Sequence, residues 1–558
     1  MDLYASALAG SLETSYYLCP LEPGAGKTES ISCFIKEWKA RGFLPEGSIL
    51  IAVNTKDQIK SLVKRLGMDD SDFACFTRDE EFDSLGVGIE NRSNARILLT
   101  TQQMVAARSF NGDFNLIPDF FYKGNRRPLI IWDESYIQSE QVSLAVNKIY
   151  ELIDDLNGYH RGFANALAAF ASGLTVNTVG QRVVVADDIR QFIVMLNTDA
   201  KDGDRNAARI KAEHSQTLDA LTKGHKGELR LGQYGGVSSL TLVGCGKPMP
   251  ADFAPVIILD ASGRVRATYD LMEAAGVKVV RLPAKPNDYA NMKIRFWQTA
   301  CGKDALRDDA KNRVIIGAVA KVIQERSDED WLVIGPKASA RDGIAVEGWL
   351  RETLPPAIND RGNVRYLHWG RHTATNDYKD VRNVIVIGTF DYGNAGYDAL
   401  AAAARGACTD SLDRKGSYSL FRAEYSHNLL QAAMRGNARN AKEGKCGECN
   451  VYVIASAKVN EELLGSIFPG ADIQTWRKDE KELKGQAKQL VDYLKHAFFI
   501  KGDEAIKKGK AIADLGFGKS ALSKLLAKYD VRSALSRFGI TCNNNNFILL
   551  RVETQSAS

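Results

Sequence analysis

The chain contains 558 residues, 45% of them apolar and 25% charged, and its formal net charge is +5. This composition is typical of globular proteins, and the length is sufficient for roughly two to four domains. No apolar run reaches the roughly 18 residues of a membrane span and no secretory signal is recognisable, so we expect neither a membrane protein nor a secreted one.

Cysteine usage gives the expected compartment. The nine cysteines are scattered along the chain in an odd number, and they suggest no disulfide framework, which is typical of a reducing environment. We therefore expect a cytoplasmic protein without a membrane partner. The small positive charge permits nucleic acid as a partner without requiring it.

The first element with recognisable chemistry is an apolar strand that leads through a glycine turn into a helix, at residues 18–28 (LCPLEPGAGKT). This pattern predicts a phosphate-binding loop, in which Gly24 and Gly26 let backbone N–H groups surround the phosphates. Lys27 would reach the β- and γ-phosphates, and Thr28 would hold Mg²⁺. Leu21 stands where the full motif has its first glycine. The residues expected to contact the nucleotide are Pro23, Gly24, Ala25, Gly26, Lys27, Thr28 and Glu29.

Two further strands follow in the same α/β rhythm. Residues 48–55 predict a strand that ends at Thr55, and residues 56–66 predict an amphipathic helix. Residues 96–100 predict another strand, followed by Thr101 and Gln102. Strand, loop and helix recurring at these intervals favour a parallel sheet with its polar clusters at the carboxyl edge.

The next strand ends in two acids. Residues 128–133 form an apolar run that closes with Asp133 and Glu134, as a buried parallel strand does when it delivers carboxylates to the edge of a sheet. In an enzyme that hydrolyses nucleoside triphosphates, Asp133 would hold Mg²⁺, and Glu134 would orient and deprotonate the attacking water. Standing alone, the pattern could equally be a strand that ends in a polar turn.

After these acids the alternation of strands and helices is interrupted. Residues from about 137 to 250 are polar and rich in helical patterns, which predicts a helical insertion into the first domain. Residues 254–259 then form another buried strand, which ends in Asp260, Ala261 and Ser262.

A second α/β unit begins near residue 290, with predicted strands KIRFWQTA, DWLVIGP, NVRYLHW, RNVIVIGTF and NVYVIAS. It carries polar segments at residues 370–380 and 388–390. Residues 424–440 predict a helix on which Gln431, Arg435 and Arg439, spaced i, i+4, i+8, share one face. Two guanidiniums on one face without an acid are suited to binding an anion, although a solvated basic face is the alternative.

The order of these motifs resembles that of superfamily 2 helicases of the DEAD/DEAH-box type. The resemblance rests on G-x-G-K-T, the Thr/Gln cluster, D-E-x-S, D-A-S and Q-x-x-x-R-G-x-x-R, over roughly residues 15–455. It implies an α/β fold of two RecA-like parallel-sheet domains that enclose ATP, at residues 1–290 and 291–460. The function implied is ATP-dependent movement along DNA or RNA, or its unwinding, with replication or recombination proteins as further candidate partners.

The resemblance also assigns roles to residues. Catalysis would depend on a set of residues from both domains: Lys27, Asp133, Glu134, Gln431, Arg435 and Arg439. Thr28 and Asp133 would hold Mg²⁺. Asp260 to Ser262 match the motif that couples nucleotide to movement, while Thr55, Thr101 and Gln102 would contact nucleic acid, most readily DNA.

Several positions depart from the common family pattern. The acidic box is D-E-S-Y, no glutamine motif fits before the phosphate loop, and residues 388–398 differ from common forms of the fifth motif. These irregular motifs, together with the large insertion, resemble helicases of phages or mobile elements.

The C-terminal segment, residues 461–558, has a different character. Its short helical patterns are followed by an asparagine run and a final strand, which predicts a helical domain of winged-helix type. Residues 501–558 carry ten Lys/Arg against five Asp/Glu, an excess of +5. This balance favours nucleic-acid binding, with a solvated basic face on a packing domain as the alternative.

Two other functions share parts of the motif set. A phage packaging motor has the same phosphate loop and acidic strand, but it would need a nuclease half with clustered acids instead of the arginine segment. A nucleotide-gated regulator would bind DNA through the C-terminal segment without moving along it.

Overall fold

The computed structural model describes residues 2–42, 47–109, 112–234, 239–339, 343–371, 377–388, 390–478, 483–501, 503, 505–528, 531–532, 534–535, 540–543 and 545–549. Two compact units result, one formed by Met1–Phe296 with Ala300–Gln474 and the other by Trp297–Thr299 with Thr475–Ser558. In the described part of the chain, we find no helix with the length and apolarity needed to cross a membrane. The predicted domain boundaries at 290 and 460 stay predictions.

The first α/β domain opens the chain. Its first strands are β1 (Tyr16–Leu18), β2 (Ile49–Val53), β3 (Phe73–Phe76), β4 (Ile97–Thr101) and β5 (Leu129–Asp133). The helices between them are α1 (Asp2–Leu8), α2 (Lys27–Ala40), α3 (Lys56–Leu66), α4 (Glu80–Asp83) and α5 (Gln102–Ser109).

The insertion follows β5 and forms its own small α/β layer. Its strands are β6 (Gln141–Ala145), β7 (Arg182–Val183), β8 (Glu228–Gln233) and β9 (Leu240–Cys245). Its helices are α6 (Val146–Asn157), α7 (Arg161–Ser172), α8 (Asp187–Lys201), α9 (Arg205–Glu213) and α10 (Ser215–Lys226). The helices agree with the predicted helical insertion, but the antiparallel sheet, ordered β6-β9-β8-β7, was not predicted. The helices and sheet share one apolar core that includes Leu152, Leu167 and Leu242.

The first domain is completed by β10 (Val256–Leu259), α11 (Thr268–Ala274) and β11 (Val279–Arg281). Its seven strands are ordered β11-β1-β10-β5-β2-β4-β3, and every adjacent pair is parallel. The strands are almost entirely buried because their apolar side chains meet helices on both faces. The residues that follow β1, β2, β4, β5 and β10 therefore lie along one edge, where ligands bind in such sheets.

The second α/β domain has the six strands β12 (Met292–Gln298), β13 (Trp331–Gly335), β14 (Val364–His368), β15 (Asn383–Ile387), β16 (Cys449–Ala455) and β17 (Asp472–Lys478). Its helices are α12 (Lys303–Arg307), α13 (Asp309–Glu325), α14 (Val346–Thr353), α15 (Pro356–Asn359), α16 (Gly393–Arg405), α17 (Arg414–Ala433) and α18 (Glu461–Ile467). The strand order is β14-β13-β15-β16-β12-β17, and β13 pairs in parallel with both β14 and β15. The predicted α/β fold with two parallel-sheet domains is confirmed.

The second unit combines helices with a small antiparallel sheet. It contains α19 (Gly485–Lys495), β18 (Ala505–Lys507), α20 (Lys508–Leu515), α21 (Lys519–Ala527), β19 (Ile540–Cys542) and β20 (Asn546–Leu549). The strands form an antiparallel sheet ordered β18-β20-β19. Helix, strand, two helices and a hairpin, around a core that includes Leu490, Leu522 and Phe547, are the arrangement expected of a winged helix.

Candidate active site between the two α/β domains

The phosphate-binding loop joins β1 to α2. Gly26, with φ 82°, is the N-cap of α2, and Gly24 has φ 87°. A Cβ atom on Gly24 would lie 2.2 Å from the carbonyl oxygen of Arg439 in the second domain, so only glycine fits there. The first N–H groups of an α-helix have no partner within the helix, so the start of α2 provides a positive end for an anion. In the loop before the helix, the N–H of Ala25 donates to the carbonyl of Glu22 at 3.1 Å.

Lys27 lies at the centre of this loop. Its Nζ donates to the carbonyl oxygens of Leu21 (2.6 Å) and Glu22 (3.3 Å). Burial lowers the pKa of Lys27, while the neighbouring carboxylates of Glu134 and Asp133 act in the opposite direction. The ammonium group therefore lies near the loop carbonyls and both predicted acids, and its contact with phosphates stays a prediction.

The two acids follow β5 as expected. Burial raises the pKa of Asp133, partly offset by Lys27 and Arg439. Burial and the adjacent Asp133 raise the pKa of Glu134 to about 7. Glu134 also has φ 82°, a left-handed conformation that costs a non-glycine residue on the order of 1–3 kcal/mol and is often retained at functional sites. A carboxyl group that titrates near neutral pH is suited to act as a general base.

Arg435 and Arg439 are not on one helical face with Gln431, and this detail of the sequence prediction is wrong. Helix α17 ends at Ala433, and Arg439 lies in a short 3-10 turn, Asn437–Arg439. Beyond the helix, a Cβ atom on Gly436 would lie 2.7 Å from the carbonyl oxygen of Val381, just before β15. The N–H of Asn437 then bonds the carbonyl of Val381 at 2.8 Å.

The three residues nevertheless converge on one place. Arg435 Nη2 donates to Gln431 Oε1 at 2.8 Å, which fixes the guanidinium. Burial and the nearby Arg439 lower the pKa of Arg435 to about 10, so it remains charged at neutral pH. Gln431 Nε2 is buried without a hydrogen-bond partner among the described residues. A buried amide donor without a partner is costly and marks a place where an acceptor would bind favourably.

A cavity of about 200 Å³ is lined by both domains. Its lining residues are Pro23, Gly24, Gly26, Lys27, Thr28, Glu29, Arg65, Asp133, Glu134, Ala261, Gln431, Arg435 and Arg439. All predicted catalytic residues are therefore brought together, and of the predicted nucleotide contacts only Ala25 is not part of the lining. Thr28 and Asp133 bring a hydroxyl and a carboxylate oxygen to the same cavity, and both are oxygen donors of the kind Mg²⁺ prefers.

A larger cavity of about 700 Å³ shares several of these residues and extends along α3. Thr55 lines it, together with Gln58 and Arg65. Arg65 was not singled out from the sequence, yet it lies close enough to Asp133 and Arg439 to influence the pKa of each. It lies beside Lys64 in the last turn of α3, where basic residues are common, so its position gave no local signal of a site.

The residues predicted to contact nucleic acid have structural roles at the strand ends. Thr55 is the N-cap of α3 in a capping box with Gln58. Thr101 is 8% exposed, and its hydroxyl accepts from the N–H of Met104 at 3.2 Å. Gln102 Nε2 donates to the carbonyl of Asp133 at 2.6 Å, which braces the acidic strand. Their contact with nucleic acid stays a prediction.

The predicted coupling motif makes direct contact with the second domain. Ser262 donates to Asp260 Oδ1 through both its N–H (2.8 Å) and its hydroxyl (2.6 Å). Because that hydroxyl is already a donor, Nδ1 of His427 is the donor in its 2.5 Å contact with Ser262. Burial and Arg266 lower the pKa of His427 to about 4, so the imidazole is neutral. Arg266 of the first domain also forms an ion pair, at 2.9 Å, with Glu424, which lies on the same helix α17 as His427.

A second connection between the domains was not predicted and begins at Glu22 of the phosphate-binding loop. Its carboxylate, 2% exposed, accepts from Arg264 (2.7 Å), from the N–H of Asn287 (3.2 Å) and from the hydroxyl of Tyr289. Arg264 also donates to the carbonyls of Ser466 and Ile467 at the end of α18, both at 2.9 Å. The loop is thereby bonded to the interdomain linker and to the second domain.

Residues 388–398, the predicted fifth motif, divide between two partners. Asp391 pairs with Lys458 at 2.9 Å. Asp398 instead pairs with Arg230 of the insertion at 2.7 Å, and both side chains are at most 6% exposed. Thr389 and part of the predicted polar segment at 370–380 lie outside the described residues.

A scan against protein-family models finds no match, and neither does a search of curated proteins. Similar solved structures include S. tokodaii Xpd4, with 12% identity and a TM-score of 0.41 over 85% of this chain and 98% of that chain. S. cerevisiae Dbp5 bound to RNA and ADP BeF3 has 9% identity and a TM-score of 0.36, over 86% of this chain and 88% of that chain.

The DEAD-box helicase Mss116 bound to ssRNA and UDP-BeF has 11% identity and a TM-score of 0.31, over 96% of this chain and 90% of that chain. At these identities and TM-scores, the likenesses assign no activity to this chain.

Proposed function

We propose that this protein is an ATP-dependent nucleic-acid translocase or helicase that hydrolyses ATP between its two α/β domains. One observation carries the proposal: Lys27 and Glu134 of the first domain line the same small cavity as Arg435 and Arg439 of the second. An ATPase site divided between two domains links hydrolysis to their relative movement, which is what a motor requires.

The chain's own residues account for the chemistry. Lys27 and the start of α2 bind the phosphates, and Glu134 takes the proton of the attacking water. Arg435 and Arg439 stabilise the charge that develops on the transferred phosphoryl group, a contribution typically of about 10³ to 10⁵ in rate. Mg²⁺ held by Thr28 and Asp133 would neutralise part of the phosphate charge.

The protein would move along nucleic acid because ATP hydrolysis requires the two α/β domains to close on the nucleotide. Each cycle would shift one domain along a strand while the other holds it, mainly through backbone phosphates and with little sequence preference. Opening DNA costs about 1.4 kcal/mol per base step, so one ATP per step is energetically sufficient for unwinding. DNA is the proposed track, and RNA is the alternative.

An ATPase assay titrated with single-stranded DNA, duplex DNA and RNA tests the proposal. We expect turnover that nucleic acid stimulates and that Lys27→Ala and Glu134→Gln each reduce to a small residual rate. Lys278→Ala and Glu13→Gln are matched controls, because this exposed ion pair lies in the same domain and away from the cleft residues. Full turnover in the Lys27 or Glu134 variant would overturn the proposal.

The two alternative functions give different outcomes in the same assay. A packaging motor would respond to duplex DNA and would cleave it, whereas a nucleotide-gated regulator would bind DNA in the presence of ATP without directional movement on a labelled strand. The paired arginines favour the translocase, because a regulator that only binds ATP has no need of groups that stabilise a transition state.

A further inference from the structure

The second unit contains two helices joined by a short glycine turn. Helix α20 ends at Leu515, Gly516 has φ 66°, and α21 begins at Lys519. Phe517, between the two glycines of the turn, is 7% exposed and belongs to the core of the unit. Two helices joined by a glycine-containing turn of three residues form a helix-turn-helix, in which the second helix can enter a DNA groove.

Helix α21 has one buried face and one open face. Leu522 and Leu525 are buried in the core of the unit. The exposed positions of α21 and the residue after it are Lys519, Ser520, Ser523, Lys524, Ala527 and Lys528. The open face therefore combines three ammonium groups with short side chains, which allow another surface to approach the helix closely.

The residues around this face carry a large excess of positive charge. Residues 505–549 contain eight Lys/Arg and two Asp/Glu. One of the acids, Asp514, is engaged by the hydroxyl of Tyr493 at 2.5 Å. Among the described residues, Lys519, Lys524 and Lys528 form no ion pair. Unpaired cations clustered on one face are the electrostatic signature of nucleic-acid binding.

We infer that the second unit binds duplex DNA with α21 in the major groove, independently of the proposed ATPase. The major groove of B-DNA is about 12 Å wide and admits an α-helix, whereas that of an RNA duplex is too narrow. The lysines bind backbone phosphates, and the hydroxyls of Ser520 and Ser523 face the base edges. This contact would hold the protein on duplex DNA without ATP.

Fluorescence anisotropy with the full chain, a blunt 20-base-pair DNA duplex and no nucleotide tests this inference. We expect Lys519→Gln/Lys524→Gln to weaken binding more than tenfold at low salt and to reduce the slope of log affinity against log salt by about two. Lys484→Gln/Lys501→Gln is the matched control, since it removes two exposed lysines of the same unit outside the segment from β18 to β20. It should change affinity less than twofold.

Three outcomes would overturn the inference. The α21 variant could bind the DNA duplex as tightly as the unmodified protein does. Both double variants could lose affinity equally, which would show that only net charge matters. An RNA duplex of the same length could bind as tightly and show the same loss, which would replace groove recognition with general attraction to a polyanion.

Discussion

The second α/β domain meets two neighbours through contacts of different composition. Toward the first domain, a network of ionisable and hydroxyl side chains, including Ser262, Arg266, Glu424 and His427, lies beside the packing of α16 on α11. Toward the insertion, the alanine-rich helix α16 packs against β6 and β9, and this contact contains one buried ion pair, between Asp398 and Arg230. Both contacts are buried, yet they differ in how readily they can be exchanged for water.

The polar contact is suited to repeated opening. Its hydrogen bonds can be replaced by bonds to water, so the net gain per bond is about 0.5–1.5 kcal/mol for neutral groups and about 1.5–3 kcal/mol where a charged group takes part, as between Arg266 and Glu424. Two donors, Gln431 Nε2 and Arg266 Nη1, are buried without a hydrogen-bond partner among the described residues. The closed arrangement of the two domains therefore leaves some of its hydrogen-bonding capacity unused.

The insertion contact is suited to permanence. Ala402 and Ala403 are buried against Cys245 of β9, and the N–H of Ser139 bonds the carbonyl of Ala403 at 3.0 Å. Close-packed small residues lose dispersion contacts when separated and gain little from water. We therefore expect the insertion and the second domain to move as one body, while the cleft opens and closes.

The largest effect should come from the cleft. Replacing Arg435 by alanine removes a guanidinium that faces Glu134 across the domains, and we expect kcat for ATP hydrolysis to fall by about 10³ or more. Arg435→Lys should recover only part of the rate, because lysine lacks the planar fork that Gln431 fixes. Arg382→Ala, at a side chain that is 68% exposed in the same domain, is the control. An Arg435→Ala enzyme with unchanged kcat would contradict the proposed role.

The second largest effect should come from the contact between the insertion and the second α/β domain. Asp398→Ala leaves the guanidinium of Arg230 buried without its carboxylate, and we expect the free energy of unfolding to fall by about 3–5 kcal/mol. A lower denaturant midpoint would report this loss. Replacing both partners, Arg230→Met with Asp398→Leu, should restore most of it.

An exposed ion pair in the same domain provides the control for that experiment. Glu347 pairs with Arg351 on α14, and the two side chains are about half exposed. Glu347→Ala should change the free energy of unfolding by less than about 1 kcal/mol. If the Asp398 and Glu347 variants lowered the midpoint equally, the insertion would not depend on its buried pair.

Part of the site between the two α/β domains could be predicted from the sequence. The phosphate loop and the acidic strand were found because each motif lies within about ten residues of an apolar strand. Arg435 and Arg439 were found too, but as neighbours on a helix that in fact ends at Ala433. Short windows reveal residue types at strand ends, and they do not reveal where a neighbouring sheet forces a helix to stop.

The connections between domains could not be predicted because their partners are far apart in the chain. Arg264 is 242 residues from Glu22, and Arg230 is 168 residues from Asp398. Single charged residues have no periodicity that would indicate such pairs. The sheet of the insertion was missed for a related reason, since its strand β6 is separated from its partner β9 by a long run of helical pattern.

Glu22 permits a smaller and more specific test of the exchangeable contact. Glu22→Gln keeps an oxygen acceptor for Tyr289 and Asn287 but removes the charge that attracts Arg264. A hydrogen bond to a charged group is worth about 1.5–3 kcal/mol, so the loop should be less well positioned. We expect KM for ATP to rise about tenfold with kcat changed less than threefold, the pattern of lost ground-state binding.

The control for Glu22 is Glu13→Gln, the same substitution at an exposed ion pair of the same domain. Measuring KM and kcat separately matters, because a general loss of stability would lower both the active fraction and the apparent kcat. A Glu22→Gln enzyme that matched Glu13→Gln in both constants would show that the loop does not depend on its connection to α18.

The smallest expected effect is a pH dependence. Burial and Asp133 raise the pKa of Glu134 to about 7, and the carboxylate, not the protonated acid, accepts the proton of water. Activity should therefore be low below the pKa and rise as the pH passes through it, with kcat/KM increasing about tenfold between pH 6 and pH 8. Glu134→Gln should leave a residual rate that is flat over this interval. If kcat/KM of the unmodified protein were equally independent of pH, the base would be a group other than Glu134. The contact between the two α/β domains would then have no demonstrated link to ATP hydrolysis.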